Sequence, residues 1–268
     1  MQLAPLTTAV ALVALSGVAA AARPTAGPVS GTYKAGSLSG GARLADEGKD
    51  HYLVFPPRCF TRATSDANAW AHPSVVAAVT EVAHDVRAAF PDAQRVPVGE
   101  LSAQSGGKID HHLSHQNGLD VDVCFLRRNV ATSSLSTLSR QPSVATGLLR
   151  CKTGPRYERQ DPESGRWEDS QDFDRELAWA LAARFAARPD VKVIFVGTLL
   201  KPELARWARA NGVPPKERSR TLAKLYPVFC RAPKGVVLDT YKRNWCPHDD
   251  HLHVRFRCPK DSPGCRAR

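Results

Sequence analysis

Along residues 119–125 apolar and polar positions alternate, with Leu119, Val121, Val123 and Phe125 on one side and Asp120, Asp122 and Cys124 on the other. That two-residue period predicts a strand with one buried face. A second short run repeats the pattern near the C-terminus, where Leu252 and Val254 alternate with His251 and His253. VKVIFVG at 191–197 is the strongest strand signal, YLVF at 52–55 predicts a short strand closed by Pro56-Pro57, and 95–101 predicts another. Helical spacing takes over at 73–90, where Val75, Val76, Val79, Val82, Val86 and Phe90 recur and Pro73 suits the first turn. Phe173, Leu177, Leu181 and Phe185 recur every four residues over 173–187 and stop before Pro189. A further helix near 202–210 ends at Asn211-Gly212. Helices and strands mix without a βαβ rhythm, which predicts an α+β fold. The expected architecture is a small antiparallel sheet carrying both histidine-rich stretches, with helices packed on one side and a surface insertion.

The pattern also divides the chain. Residues 1–22 form an apolar run with no Lys or Arg that ends in Ala20-Ala21-Ala22, and they read as a signal peptide. Residues 23–50, rich in Gly, Pro, Ser and Ala, read as an extended lead-in. The domain is expected over 51–268, with a variable insertion at about 127–172 where polar residues show no period. No later stretch is long and apolar enough for a membrane span, so no stable anchor is expected after cleavage. Export agrees with seven cysteines, an oxidising-compartment count. Cys258 and Cys265, around a short Pro-containing loop, are the best local disulfide pair. The odd count leaves one thiol over, for which buried Cys124 is the choice.

A net charge of +11 admits nucleic acid, an anionic membrane or an anionic envelope polymer as partner. No basic cluster interleaved with aromatics and no nucleic-acid motif is present, so nucleic acid is not expected. An exported DNA-binding or nuclease protein rests on charge alone. Acidic cell-wall material is the natural counterpart.

The chemistry concentrates in two places. HHLSHQNGLDVDVCF at 111–125 holds three histidines and two aspartates, and HDDHLHVRFR at 248–257 holds three more histidines. His115 precedes Asp122 by seven residues, and the Asn117-Gly118 turn signal lets the chain bend so that both reach one point. One histidine and one carboxylate from the first stretch, with one histidine from the His-x-His strand, make a three-ligand Zn²⁺ site with a fourth position open. Cys124, on the face of Asp122, is a minor alternative as a soft ligand. The Ser105-Gly106-Gly107 loop is either a place of close substrate approach or an ordinary tight turn. Asp249-Asp250 beside His248 predict a raised pKa for that imidazole.

His112-Leu113-Ser114-His115-Gln116-Asn117-Gly118-Leu119-Asp120-Val121-Asp122 and the segment from His248 to Pro259 resemble the two signature segments of the penicillin-insensitive murein endopeptidases. These are zinc peptidases of the wider lysostaphin and D-Ala-D-Ala metallopeptidase group. Val98-Gly99-Glu100-Leu101-Ser102 also resembles the strand leading into the first segment. The resemblance covers most of 36–126 and 190–265. It implies one Zn²⁺ held by His115, Asp122 and His253.

There is no His-Glu-x-x-His helix to supply a glutamate base. His251, on the ligand face, is expected to orient and deprotonate the water, since an ordinary imidazole pKa of about 6.5 allows acceptance and return of a proton. His248 is expected to stabilise the oxyanion or share the proton, and His112 to belong to the pocket. Asp120 either orients a ligand histidine or ends the turn. The Cys258–Cys265 pairing fits the family as well. The implied reaction is hydrolysis of peptidoglycan cross-links, at the amide between D-alanine and a diaminopimelate side chain, in the periplasm. A D-Ala-D-Ala carboxypeptidase of the same group is the near alternative. A catalytically silent wall-binding module, its structural zinc closed by four protein ligands, is the distant one.

Overall fold

The computed structural model describes residues 29–53, 68–109, 112–126, 128, 148–149, 157–160, 167–169, 173–197, 200–228, 248 and 251–266. Residues 1–22, read as a signal peptide, and Cys59, Cys151, Cys230 and Cys246 lie outside the described residues. The elements run β1 Val29–Thr32, β2 Ala35–Leu38, β3 Ala42–Arg43, β4 His51–Leu53, β5 Trp70–Ala71, α1 Pro73–Ala89, β6 Val96–Val98 and β7 Asp120–Cys124. They continue β8 Leu148–Leu149, β9 Tyr157–Gln160, β10 Trp167–Asp169, α2 Arg175–Ala187, β11 Val191–Gly197, α3 Leu200–Ala210, α4 Pro215–Lys224, β12 Leu225–Val228 and β13 His251–Phe256.

The fold is α+β. Its main sheet has the order β12-β11-β13-β7-β6-β4. The centre is antiparallel, as the alternating patterns predict, while the edge pairs β11/β12 and β4/β6 are parallel, so the sheet is mixed and larger than expected. Val121 and Val123 on β7 and Leu252 and Val254 on β13 are fully buried in one apolar cluster with α1 and α2. The alternate residues of the same two strands carry the acids and histidines. One sheet face therefore makes the core and the other makes the site.

Helix α1 starts as its sequence directs, with Pro73 in the first turn and the His72 side chain accepting from the Ser74 amide. Asp174 caps α2 by accepting from the Leu177 amide. The sequence shows one apolar stripe on α2, yet Leu177, Ala178, Trp179, Leu181, Ala182, Phe185 and Ala186 are all buried. Helices α1, α3 and α4 flank it and small alanines fill its remaining sides. Helix α4 and β12 escape the periodicity reading for opposite reasons. The only buried residue of α4 is Thr221, so it has no stripe to detect, and β12 carries Pro227 because it is an edge strand.

Residues 29–50, an extended lead-in by composition, contribute the β1/β2 hairpin and bury Val29, Tyr33, Leu38 and Leu44. The hairpin is tied to the chain's far end. The Gly31 amide donates to the Gly264 carbonyl (3.0 Å), the Arg266 amide donates to the Gly31 carbonyl (2.8 Å), and the Cys258–Cys265 disulfide closes the loop they grip. Cys124 is disulfide-bonded, which corrects its assignment as the leftover thiol and removes it as a soft metal ligand. An odd cysteine count does not say which residue is left over, because pairing follows proximity in space. Within the segment read as an insertion, β8, β9 and β10 pair as a separate antiparallel sheet.

Leu181 is fully buried at the centre of α2. Leu181→Ala is expected to lower unfolding free energy by about 2–5 kcal/mol, read as a lower urea midpoint at unchanged slope.

Candidate metal centre

The register of β13 on β7 sets His253 directly opposite Asp122, Arg255 opposite Asp120 and His251 opposite Cys124. Directly opposed residues of antiparallel strands share a face and touch. The row through His253 continues across β11 to Phe195 and across β12 to Tyr226. Four strands thus lay Tyr226, Phe195, His253 and Asp122 side by side, from an exposed rim at Tyr226 to a fully buried carboxylate.

His115 reaches the same point from the loop before β7. It is a non-glycine residue with φ of 65°, a conformation held only where its surroundings insist on it. Its amide donates to Asp120 Oδ2 (3.0 Å), and its Nδ1 lies 2.7 Å from the Leu101 carbonyl, so Nε2 faces inward. Gly118, with φ of 72°, makes the predicted turn, and a Cβ there would meet Leu38 at 2.8 Å. Gly106 lies against the Gln116 carbonyl, 2.4 Å from where a Cβ would stand. The glycine loop therefore packs on the backbone of the His115 loop.

Four histidines surround the Asp122 carboxylate. His115 Nε2 is 3.2 Å and His112 Nδ1 3.9 Å from Oδ2, while His253 Nδ1 is 3.3 Å and His251 Nε2 3.5 Å from Oδ1. Yet neither Asp122 oxygen, nor His115 Nε2, makes an aligned hydrogen bond with any described residue, although all are buried. Lone pairs that converge without bonding one another are the arrangement of chelators. His112, His115 and Asp122 place one donor atom each within 4.8 Å of one another, a group able to hold a metal ion. Metal–ligand bonds of about 2.0–2.2 Å at tetrahedral angles set donor atoms about 3.3–3.6 Å apart. The His115 and His253 contacts with Asp122 fit that spacing, and the His112 contact is longer.

Asp120 stands behind the donors. It accepts both arms of the Arg255 guanidinium (2.7 and 3.0 Å) and the His115 amide, and lies 3.2 Å from His253 Nε2. Burial opposes its ionisation, but His253 and Arg255 outweigh that and hold it ionised well below the usual carboxylate range. Arg255 itself lies over the ring of Tyr33 at 4.0 Å and that of Phe195 at 4.9 Å.

The remaining charges follow from crowding. Burial works against a proton on His115, yet Asp122 outweighs it and raises His115 to about 9. Burial also opposes ionisation of Asp122, and the charges of His115, His251 and His253 hold it well below its ordinary value. At His253 burial outweighs the pull of Asp120 and Asp122, and its pKa is lowered. His248 is lowered well below its ordinary value, by burial and then by His251 and His253. This corrects the expected rise: Asp249 and Asp250 lie outside the described residues, and the groups that set His248 are histidines. His248 Nε2 lies 3.3 Å from His253 Nδ1, and its ring stacks on Phe195.

The structure thus gathers His112, His115, Asp120, Asp122, His248, His251 and His253 at one centre. Glu100 and Arg255 join them without having been singled out as site residues. Glu100 lies inside the Val98–Ser102 segment next to the first stretch, and Arg255 two residues beyond His253. Arg255→Met is expected to cost about 3–5 kcal/mol of folding stability by leaving Asp120 a buried, poorly compensated charge. Because the Asp120 pKa is depressed in the folded state, this contribution is complete above the ordinary aspartate range and fades only in acid. Urea unfolding of both proteins at neutral and at acid pH checks it, the gap narrowing in acid.

Comparison with known proteins places these features in one lineage. The family model described as penicillin-insensitive murein endopeptidase matches residues 29–231, which include the first histidine stretch and stop short of the second. A penicillin-insensitive murein endopeptidase of Pectobacterium atrosepticum is 25% identical over 248 residues, 91% of this chain and 70% of that protein. One of Escherichia coli O157:H7 is 28% identical over 269 residues, 96% of this chain and 80% of that protein. One of Salmonella heidelberg is 27% identical over 248 residues, 90% of this chain and 70% of that protein. With three quarters of its length matched and the histidine–aspartate centre assembled on its sheet, the chain belongs to the penicillin-insensitive murein endopeptidase family.

Proposed function

We propose that the protein is a zinc-dependent murein endopeptidase that hydrolyses peptide cross-links of peptidoglycan at the amide between D-alanine and a diaminopimelate side chain. The observation that carries this reading is Asp122. A fully buried carboxylate without an aligned hydrogen bond costs several kcal/mol, and nitrogen donors of His115 and His253 stand 3.2 and 3.3 Å from its oxygens. Borderline-soft Zn²⁺ suits two imidazoles and a carboxylate, and the backing of His253 by Asp120 is the carboxylate–histidine arrangement that commonly orients zinc ligands. His115, Asp122 and His253 are therefore assigned as ligands. His112, farther from Asp122, is left to the pocket.

Zinc held there supplies Lewis-acid polarisation of the scissile carbonyl and lowers the pKa of a coordinated water to about 7. The protein's own groups divide the remaining work. His251, on the same strand face two residues from His253, takes a proton from the attacking water and returns it to the leaving amine. His248, kept neutral by burial and stacked on Phe195, donates a hydrogen bond to the developing oxyanion. Asp120 keeps both ligand imidazoles aimed. The net charge of +11 favours approach to an anionic wall polymer. No helix among the described residues is long and apolar enough to cross a membrane, and we assign the mature protein to the periplasm.

Incubation of the purified protein with isolated sacculi tests the reading. Cross-linked muropeptide dimers are expected to become monomers, with activity lost to chelator and restored by zinc. Release of only terminal D-alanine would identify a carboxypeptidase instead. In metal analysis, Asp122→Asn and His115→Ala are expected to lose bound zinc. His251→Ala is expected to keep its zinc and lose hydrolysis by at least about 100-fold, within the range of general acid–base catalysis. Zinc loss from His251→Ala would point to a closed four-ligand structural site.

A further inference from the structure

Glu100 is buried at the centre and belongs to neither histidine-rich stretch. Its Oε1 accepts from Asn68 Nδ2 at 2.8 Å, and its Oε2 meets His112 Nε2. Its backbone carbonyl accepts from the Asp122 amide at 2.9 Å, and the next carbonyl, Leu101, meets His115 Nδ1 at 2.7 Å. Two consecutive residues thus hold two site imidazoles, by opposite nitrogens. His115 is held at Nδ1 and turns Nε2 inward, whereas His112 is held at Nε2 and turns Nδ1 inward.

The proton on a neutral imidazole sits on the nitrogen that faces the better acceptor, and the other nitrogen then carries a lone pair. Among the described residues, two carboxylates face the ring of His112. Glu100 is in direct contact at Nε2, while Asp122 Oδ2 lies 3.9 Å from Nδ1, beyond hydrogen-bond reach. A cation on Asp122 weakens its pull further.

We propose that Glu100 is a positioning residue that locks His112 in the Nε2–H tautomer, so that Nδ1 presents a hydrogen-bond acceptor to the reaction centre. This rests on the metallopeptidase reading above and deepens it. Among the site histidines His112 then accepts a hydrogen bond from the attacking water and helps to orient its lone pair, a task that an Nδ1–H tautomer, pointing a donor at the same place, cannot perform. Asn68 completes the device by fixing the other Glu100 oxygen.

The tautomer can be read directly. In zinc-loaded protein labelled with ¹⁵N-histidine, long-range proton–nitrogen spectra distinguish a protonated from an unprotonated ring nitrogen. The His112 signals are assigned by their loss in His112→Gln. Wild type is expected to show protonated Nε2 and bare Nδ1. Glu100→Ala is expected to move the proton to Nδ1 or to average the two. Glu100→Gln, whose amide oxygen still accepts from Nε2–H, is expected to keep the wild-type pattern. On a muropeptide dimer, Glu100→Ala should lower kcat about 10- to 100-fold, the usual range for such supporting partners, with KM and zinc content unchanged, and Glu100→Gln should recover most of it.

A wild-type His112 protonated at Nδ1, or at both nitrogens, overturns the proposal, as does an unchanged tautomer in Glu100→Ala. If Glu100→Ala does not fold, the wild-type and Glu100→Gln spectra still decide. Absence of dimer cleavage by wild type would instead count against the endopeptidase reading and leave the tautomer measurement standing.

Discussion

The site depends on one buried ion pair, Asp120 with Arg255. Asp120 is fully buried on β7 and accepts hydrogen bonds from the Arg255 fork and the His115 amide, with His253 Nε2 3.2 Å away. That one carboxylate reaches both stretches of sequence. Through the amide it holds His115 in its left-handed conformation, and its charge lies beside Nε2 of His253. Two residues on, Asp122 has the same burial and the opposite circumstance, with neither oxygen in an aligned hydrogen bond. The two acids differ in what the fold supplies around them. One is satisfied by the protein and serves as scaffold. The other is left with lone pairs directed among histidines, the condition of a group that binds a cation.

Much of this was legible along the chain because both strands alternate strictly. The period of two put Asp120 and Asp122 on one face and Val121 and Val123 on the other, and the same period put His251 and His253 together. The Asn117-Gly118 turn accounted for the seven-residue step between His115 and Asp122. What periodicity cannot supply is register. That Arg255 pairs with Asp120, and Phe195 with His253, comes from how three strands far apart in sequence align. Glu100 was hidden for a related reason, since a single acid in a short strand segment looks like a solvated side chain until the backbone of Asp122 is seen to hydrogen-bond beside it. Cys124 shows the same limit: a residue count cannot find a partner that only the fold brings near.

The N-terminal hairpin illustrates a different gap. Gly- and Ser-rich sequence reads as an extended lead-in, and residues 29–50 have that composition. Yet a Cβ at Gly36 would meet the Thr32 and Ser30 carbonyls at 2.4 and 2.6 Å and the Asn117 side chain at 2.7 Å, so only glycine fits there. Tyr33 meets the site twice more, with its ring under Arg255 and its carbonyl accepting from the Gln116 amide at 3.2 Å. Small residues in this segment permit close packing beneath the His115 loop. The composition that suggests flexibility is what allows the contact that removes it.

These supports explain how a strained backbone persists at the centre. His115 and His248 both adopt φ of 65°, at a cost of order 1–3 kcal/mol each for a side chain of this size. His115 is fastened at its amide by Asp120 and at its ring by Leu101, and the hairpin and glycine loop close its backbone from beneath. The His248 carbonyl accepts from the Gly197 amide at 2.7 Å, at the end of β11. Both residues are therefore pinned to strands of the same sheet. Relaxing either one to ordinary helical or extended geometry would break these hydrogen bonds inside a buried site, where each unsatisfied group costs about 1–3 kcal/mol. For His115, held at two points, that penalty exceeds the strain, and for His248, held at one, the two are comparable. The imidazoles are accordingly held where they converge on Asp122, by contacts that the protein itself supplies.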